Sequence, residues 1–391
     1  MTDRTRILLF TGKGGVGKTT CAAATALLAA ERGLRTLVLS SDPAHSLADA
    51  LARPLAPEPM ELQPNLFAQE IDLYYSMKKY WSNLREMLRT VFRWQGVNNL
   101  VAEEMAGLPG MAEASALLWL EQLQREHTYD LIVVDSAPTG ETLTLLTLPQ
   151  VTQWWVTKAF PFQRTAIRAA GFALRKTTGV PLDRAYDELN GLFERLKGIQ
   201  RVLADPDISS VRLVMNPERM VIDEARRAYS YLQLYGYHVD AVIVNRVLPT
   251  QGVGPAFRSY LRAQVGYLEE IESSFQPLPI LRVGHGGEEV FGLDALRRVA
   301  EQLYAECDPM AVLYRGEPYQ LTADGDAYRL DVHLPFVEGE ASAQQFGDEV
   351  VIQLSNQRRN YALPKFLAYY TLAQSRMDDG WFRLRFEPAT H

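Results

Sequence analysis

The residues from Arg6 to Ala30 constrain the fold of this chain more than any other stretch. The apolar run Arg6–Phe10 is typical of a buried parallel strand, and the alanine- and leucine-rich run Cys21–Ala30 indicates a helix. Between them lies TGKGGVGKTT, which satisfies the phosphate-loop pattern G-x-x-x-x-G-K-[ST]. A chance glycine-rich turn is the alternative, and the position between a strand and a helix argues against it. The stretch therefore predicts a nucleotide-binding α/β fold.

The residue types in this loop suit the binding of a nucleotide and Mg²⁺. Glycine lets the backbone wrap closely around a phosphate, and the N–H groups of a helix N-terminus point at its oxygens. Lys18 would neutralise the β- and γ-phosphates, and the Thr19 hydroxyl would be a ligand of Mg²⁺. We expect the whole loop to contact ATP or ADP, namely Gly12, Lys13, Gly14, Gly15, Val16, Gly17, Lys18 and Thr19.

The loop contains a second lysine, Lys13, which is not needed to hold the phosphates of its own site. It is either a solvated loop residue or a residue that reaches a nucleotide in a second protomer. The sequence GKGGVGKTT resembles the deviant Walker A motif of the ArsA, MinD and nitrogenase iron-protein group. That resemblance implies that the lysine acts across a nucleotide-sandwiched homodimer, because the chain carries a single loop of this type.

The composition of this 391-residue chain argues against several classes of function. The formal net charge of −7 argues against a basic nucleic-acid-binding surface. No charged-then-apolar signal segment precedes the first strand, and the longest uncharged stretch, Thr142–Thr157, is too short and polar to span a bilayer. The two cysteines form neither a disulfide framework nor a C-x-x-C clip for zinc. We expect a cytoplasmic protein without a zinc clip.

Two aspartates follow predicted buried strands. Asp42 comes after Arg35–Ser40, and with Pro43 it also suits the start of a helix. A loop in this position of a doubly wound sheet opens on the ligand edge, where Asp42 could orient or deprotonate an attacking water. Asp135 ends the strand Tyr129–Val134 and is placed to hold Mg²⁺ directly or through water. The loop that follows it is where a γ-phosphate sensor would lie.

Four segments together resemble the ArsA and tail-anchored-protein-targeting (GET) ATPase family over roughly residues 5–305: GKGGVGKTT, SSDPAHSLAD, LPGMAEA and VDSAPTGETLTLL. The resemblance implies that Lys13 acts across the dimer, that Thr20 supports the α-phosphate side and that Asp42 acts on the hydrolytic water. It implies that Asp135 is coupled to Mg²⁺. It also implies switch roles for Pro43, His45, Pro138, Thr139 and Gly140. Glu141 departs from the family, in which many relatives carry histidine.

Two further residues gain a nucleotide-side role from this resemblance. Asn245 ends the predicted strand Val239–Asn245, and its side-chain amide matches the family residue that reads adenine. A turn-forming asparagine is the alternative. Glu218 follows a strand and also matches the family pattern.

Pro54–Pro64 carries four prolines and is expected to be a surface connection.

Two regions near residues 72–127 and 150–205 are predicted to be helical insertions. The second carries aromatic residues interspersed with arginine and lysine. In the family this region helps to form a hydrophobic groove for a client transmembrane helix. Ordinary helix packing explains the pattern equally well.

The residues after 307 have a different period. Residues 308–318 are a predicted linker, and beyond it apolar and polar residues alternate, as in Tyr328–Leu334 and Phe382–Glu387. Residues 319–391 are therefore predicted to form a small antiparallel sandwich. Their sequence looks like the α-crystallin domain of small heat-shock proteins, without its C-terminal I-x-I-type assembly motif.

The predicted fold class is α/β: a doubly wound, mostly parallel phosphate-loop NTPase sheet with helical insertions over residues 1–307, followed by an all-β sandwich. The resemblance implies a Mg²⁺-dependent ATPase that works as a homodimeric switch. It implies clients with hydrophobic segments, such as tail-anchored transmembrane helices, and permits a membrane receptor among the partners. The alternative is an arsenite-pump-type ATPase subunit, although capture of a soft metalloid needs converging thiolates that two cysteines cannot readily supply.

Overall fold

A computed structural model gives the architecture of the chain. It describes residues 4–42, 46–82, 111–146, 182–252, 254–316, 319–337, 340–347, 349–355, 357–363, 367 and 369–389. These residues form one large, mostly parallel sheet with helices packed against it and two smaller antiparallel sheets near the C-terminus. The predicted fold class is confirmed.

The large sheet has eight strands in the order β3-β4-β2-β5-β1-β6-β7-β8. They are β1 (Arg6–Thr11), β2 (Thr36–Ser40), β3 (Met60–Gln63), β4 (Leu66–Glu70), β5 (Leu131–Asp135), β6 (Ser209–Met215), β7 (Val239–Val247) and β8 (Ile280–Gly284). All neighbours pair in parallel except β3 and β4. Strand β1 is buried along its whole length, as expected for a central parallel strand covered on both faces.

The predicted surface connection over Pro54–Pro64 is wrong in one respect, because it contains strand β3. This strand lies between Pro59 and Pro64 and has no proline of its own. Among the described strands it pairs with β4 alone and forms the edge of the sheet, where a nearby proline removes no hydrogen bond of a central ladder.

The helices connect these strands. They are α1 (Lys18–Glu31), α2 (Ser46–Leu51), α3 (Leu73–Tyr80), α4 (Met111–Glu126), α5 (Leu182–Ala204), α6 (Arg219–Leu234), α7 (Arg258–Phe275) and α8 (Leu293–Leu303), with a 3₁₀ turn at Pro255–Phe257. Helix α1 is almost entirely buried, and its alanines allow close packing against the sheet. Within the described ranges, no helix has the length and apolar character that crossing a membrane requires.

The C-terminal strands form two antiparallel sheets, ordered β14-β15-β10-β9 and β11-β12-β13. They are β9 (Tyr319–Asp324), β10 (Ala327–His333), β11 (Ala341–Phe346), β12 (Glu349–Leu354), β13 (Gln357–Ala362), β14 (Tyr370–Asp378) and β15 (Trp381–Pro388). We call this region the β-domain. Phe382, Leu384 and Phe386 of β15 are buried in its core, and the residues between them are more exposed, so the predicted alternation is confirmed.

Helix α6 of the large sheet carries the β-domain. Leu234, its last residue, is buried in the core of the β-domain, and its carbonyl oxygen accepts hydrogen bonds from Tyr361 Oη and Arg359 Nη1. Tyr229 contacts the rings of His333 and Phe336. The β-domain is thus fixed on the helix that follows β6.

The residues between the two regions are also anchored. Arg212 donates a hydrogen bond to the carbonyl oxygen of Ala311 at 3.2 Å, and the N–H of Leu313 donates to Asp240 at 3.3 Å. The Tyr314 ring stacks on His238 with 6.4 Å between the ring centroids. Residues 308–316 therefore follow the large sheet and contact its buried charges, while the exact domain boundaries stay a prediction.

Candidate functional site

The phosphate loop leaves β1 at the carboxyl edge of the sheet and ends in α1. Two of its glycines leave no space for a side chain. A Cβ atom on Gly12 would lie 2.1 Å from the carbonyl oxygen of Val214 in β6, and one on Gly17 would lie 2.2 Å from Nδ2 of Asn245 in β7. Gly17 also has a positive φ of 94°. The loop is therefore seated directly on the two neighbouring strands.

Lys18 is a buried cation at the start of α1. Its Nζ donates to the carbonyl oxygen of Lys13 at 3.3 Å, so the side chain folds back over its own loop. Burial lowers its pKa, while the charges of Asp135 and Asp42 act in the opposite direction. This arrangement places a cation beside the acids that were predicted to take part in phosphate chemistry.

Asp135 is fully buried at the end of β5. Ser40 donates a hydrogen bond to its Oδ2 at 3.2 Å, and among the described residues its Oδ1 has no hydrogen-bond partner. Burial raises its pKa to about 6, and the neighbouring Thr19 hydroxyl and the charge of Lys18 act in the opposite direction. A buried carboxylate oxygen without a partner, next to a hydroxyl, fits a site for Mg²⁺, which prefers oxygen ligands.

Asp42 lies two residues beyond β2, half-buried, and its charge acts on Lys18. Helix α2 is described from Ser46 onward, and the alternative role of Asp42 at a helix start stays open. Ser46 Oγ and Thr19 Oγ1 are 3.1 Å apart and share a hydrogen bond. The loop after β2 is thereby joined to the phosphate loop. The predicted switch residues Pro43 and His45 lie outside the described residues.

The loops after β2 and β5 are bonded to each other. The N–H of Ser41 donates to the carbonyl oxygen of Asp135 at 3.0 Å. Pro138 leads into a helical segment over 139–146, in which Gly140 is exposed. The Thr139 hydroxyl donates to Glu224 Oε1 in α6 at 3.1 Å. Through these hydrogen bonds, a displacement of either loop would also displace the other loop and α6.

Lys13 and Glu224 form an ion pair at the rim of the site. Lys13 Nζ lies 3.7 Å from Glu224 Oε2, and both side chains are about one-third exposed (33% and 29%). Lys13 thus points outward, whereas Lys18 is buried. Sequence reasoning did not identify Glu224, because it lies within an amphipathic helix with no motif spacing to mark it. A single sequence offers no signal for such a contact.

Asn245 supports the phosphate loop. Its Nδ2 donates to the carbonyl oxygen of Val16 at 2.8 Å, and its Oδ1 accepts from the N–H of Arg246 at 2.9 Å. Strand β7 continues to Val247, so Asn245 lies inside the strand and not at its end. Its role in reading adenine stays a prediction.

A cavity of about 850 Å³ lies beside Asn245 and the start of α1. Its lining comes from α1, β7, the loop after β8 and α8, and it includes Thr20, Asn245, His285, Arg298 and Gln302. Its size suits a nucleotide base and ribose. Glu218 is exposed before α6 and is not among the residues that line this cavity.

The structure thus brings most of the predicted site together. Strands β1, β2, β5 and β7 deliver Lys13, Lys18, Asp42, Asp135 and Asn245 to one edge of the sheet. Parallel strands end at a common edge, which explains why residues distant in sequence meet there.

Comparison with known proteins adds independent information. The anion-transporting ATPase family matches residues 5–305, and an HSP20-like domain found in ArsA matches residues 325–386. A protein of Chlorobaculum tepidum, assigned as an arsenical pump-driving ATPase, is 37% identical over 98% of this chain and 96% of its own length. A protein of Aquifex aeolicus with the same assignment is 36% identical over 93% of this chain and 95% of its own. The ATPase ASNA1 homolog of Trypanosoma cruzi is 28% identical over 76% of this chain and 90% of its own.

Proposed function

The chain belongs to the anion-transporting ATPase family, and on this basis we propose that it is a homodimeric, ATP-driven switch that binds hydrophobic segments of other proteins. The observation that carries this proposal is the different orientation of the two loop lysines. Lys18 is buried and folds over its own loop, whereas Lys13 points to the exposed rim. An outward lysine is suited to the nucleotide of a second protomer.

In this proposal the residues of one protomer bind ATP and prepare its hydrolysis. Lys18 compensates the negative charge of the phosphates, and Thr19 with Asp135 would hold Mg²⁺. The ion supplies further charge compensation when bound. Asp42 orients the attacking water and accepts its proton. Asn245 fixes the backbone at Val16, so that the loop N–H groups keep their direction toward the phosphates.

The bonds between loops support a role as a switch. Ser40 and Ser41 bind the side chain and the main chain of Asp135, respectively. Thr139 binds α6. A shift of Asp42 toward the γ-phosphate would therefore displace the loop after β5 as well. Loops that are ordered by a γ-phosphate and released on hydrolysis are a common means of reporting nucleotide state.

Exposed apolar side chains support the hydrophobic client of this proposal. Helix α3 exposes three apolar or aromatic residues, Leu73, Tyr74 and Tyr75, and Tyr74 is 83% exposed. Helix α5 packs Leu196, Ile199 and Leu203 into the core of the large sheet, so this part of the predicted groove is ordinary helix packing. The aromatic residues between 154 and 174 lie outside the described residues. Tail-anchored clients and a membrane receptor rest on the family resemblance, and a cytoplasmic location rests on the sequence composition.

The names of the bacterial relatives favour a second candidate, a subunit that drives an arsenical pump. The chain has two cysteines, Cys21 and Cys307. Cys21 is fully buried, and burial raises the pKa of its thiol to about 12, so it does not supply a thiolate near neutral pH. This observation favours the apolar-client proposal over soft-metalloid binding.

ATPase stimulation separates the two candidates. Steady-state phosphate release by the full-length protein is measured with added arsenite or antimonite, and separately with a detergent-free complex of calmodulin and a tail-anchored peptide. We expect the peptide to move from calmodulin to the protein in the presence of ATP. We expect arsenite and antimonite to leave the rate of phosphate release unchanged. Stimulation by arsenite without peptide transfer would contradict the apolar-client proposal and favour the pump subunit.

A further inference from the structure

Helix α6 contacts both the phosphate-loop region and the β-domain. Near its start, Glu224 faces Lys13 and Thr139. At its end, Leu234 is buried among the apolar residues of the β-domain. Since one helix makes both sets of contacts, the position of its first turns depends on how its last turns are held.

The carboxylate of Glu224 binds two different functional elements through its two oxygens. Oε2 lies 3.7 Å from Lys13 Nζ in the phosphate loop. Oε1 accepts the Thr139 hydroxyl of the loop after β5 at 3.1 Å. One acid on a helix thus ties the outward lysine to the loop that follows the Mg²⁺-site aspartate.

We propose that Glu224 is a positioning residue that holds Lys13 and Thr139 within one protomer and must release Lys13 before this lysine can reach the nucleotide of a partner. The inference rests on the proposed function, in which Lys13 acts across the dimer. In this proposal, a Lys13 side chain that extends to a phosphate in another chain gives up its ion pair with Glu224 of its own chain. The pair therefore opposes dimer closure by an amount equal to its own stability.

The charges around the pair support a weak, reversible contact. Glu224 also acts on Lys18, as do Asp135, Asp42 and Glu141, so four acids lie around the two loop lysines. The ion pair is partly exposed, and exposed pairs contribute little to stability. We therefore expect Glu224 to adjust the closing equilibrium and not to prevent closure.

The β-domain keeps the helix in place for this contact. Tyr361 and Arg359 bind the carbonyl oxygen of Leu234, and Tyr235 Oη donates to Gln357 at 2.6 Å. In addition, Ser230 accepts a hydrogen bond from the N–H of Phe336 at 3.2 Å. Together these bonds hold the C-terminal part of α6 against the β-domain. The β-domain is thereby connected to Lys13 through the contacts of a single helix, α6.

The test is the substitution Glu224→Gln in the full-length chain. Glutamine keeps an acceptor for Thr139 and removes the charge that holds Lys13. At saturating MgATP, we expect the protein concentration for half-maximal specific ATPase activity to fall about two- to fivefold, which corresponds to the loss of one weak exposed ion pair from each of the two protomers. The limiting turnover number should stay at the wild-type value. The difference should shrink at high salt, because screening already weakens the pair in the wild type.

Two matched variants complete the experiment. Glu224→Asp keeps the charge and should lie closer to the wild type than Glu224→Gln. Asp223→Asn removes an adjacent acid of the same helix that pairs with Arg226, and it should leave the half-maximal concentration unchanged. An equal half-maximal concentration for Glu224→Gln and the wild type, or a lower turnover number at an unchanged concentration, would overturn the proposal.

A coupled variant separates this proposal from the proposed function. Dimer formation with AMP-PNP is measured by sedimentation for Lys13→Ala with and without Glu224→Gln. The two should dimerise alike, because Glu224 acts through Lys13. A wild type that stays monomeric with AMP-PNP would contradict the proposed function itself. Dimerisation that Lys13→Ala weakens and Glu224→Gln leaves unchanged in the wild-type background would contradict the role of Glu224 alone.

Discussion

The large sheet and the β-domain are both built from hydrogen-bonded strands, but they differ in which side chains of the strands are buried. In the large sheet, central strands such as β1 and β5 are buried on both faces, and polar groups gather where the strands end. In the β-domain, strand β15 alternates buried apolar residues with more exposed polar ones. Its arginines pair with acids at the surface, as Arg385 does with Asp324.

This difference assigns separate roles to the two regions. A parallel sheet brings its loops to one edge, where one oxygen of the buried Asp135 has no hydrogen-bond partner among the described residues. The antiparallel sheets of the β-domain pair their backbone polar groups strand by strand. We therefore propose that the chemistry belongs to the large sheet and that the β-domain acts by docking on α6. The predictions below test this division.

The largest effect is expected at the phosphate loop. Lys18→Ala should abolish nucleotide binding, because it removes the buried cation over the loop, whereas Asp42→Asn should keep binding and lose turnover. Fluorescent-nucleotide titration and phosphate release measure the two properties. Arg385→Ala in the β-domain is the matched loss of a cation and should change neither. An Asp42→Asn protein with an unchanged steady-state rate would remove Asp42 from the chemistry.

A second prediction concerns Lys13. Lys13→Ala should bind nucleotide and lose activity by about 10³-fold, the lower end of the range for cationic residues that act across an interface. When the variant is mixed with Asp42→Asn, part of the activity should return, since a mixed dimer contains one site with both residues intact. Phosphate release over a range of mixing ratios measures this. Full activity of Lys13→Ala alone would make Lys13 a solvated loop residue.

The third prediction uses the pH dependence of Asp135. The pKa of Asp135 is raised to about 6 from an ordinary value of 3.8, so the folded chain binds this proton more tightly than the unfolded chain does. Above pH 6 the buried charge destabilises the fold, and this penalty is relieved as the pH falls from about 6 toward 4. Asp135→Asn should therefore be more stable than the wild type by roughly 1–3 kcal/mol at pH 7.5 without added nucleotide.

Thermal unfolding at several pH values checks this expectation. The stability difference should fall by about half between pH 7.5 and pH 5, because the wild-type carboxylate becomes protonated in the folded state. Ser342→Ala on strand β11 of the β-domain carries no titrating group and serves as a control. A difference that is independent of pH would show that the charge of Asp135 is compensated in the protein.

The smallest effect is expected at the junction of the two regions. Tyr361→Phe removes the hydroxyl that binds the Leu234 carbonyl oxygen and should cost about 1 kcal/mol, the usual contribution of one hydrogen bond. The turnover number should stay near the wild-type value, because Arg359 still binds the same oxygen. Urea unfolding measures the loss. A large loss of ATPase activity would show that the junction completes the catalytic region.

Much of the fold follows from short-range patterns. The predicted strands Arg6–Phe10 and Tyr129–Val134 correspond to β1 (Arg6–Thr11) and β5 (Leu131–Asp135), and the period of two after residue 319 corresponds to antiparallel strands. The error at Pro54–Pro64 has a physical reason. Proline content identifies a poor central strand, but it does not exclude a short edge strand between two prolines.

The candidate site is predictable to the extent that it is contiguous. The loop from Gly12 to Thr19 carries its chemistry within a few residues, because a strand, a glycine-rich turn and a helix N-terminus suffice to cradle a phosphate. The position of Asp135 at a strand end also follows from local pattern. Asn245 could be expected near the nucleotide, but not its hydrogen bond to Val16, which lies 229 positions away.

The sequence by itself determined the loop, the two kinds of sheet and the positions of the acids at strand ends, since these depend on residue type and spacing along the chain. Only the tertiary structure decided that Glu224 holds Lys13 and that α6 carries the β-domain. Thr139 and Glu224 are 85 positions apart, and nothing in the local pattern of either residue specifies the other. Such contacts arise because the sheet order places β6 beside β1, and the helix that follows β6 then lies over the phosphate loop.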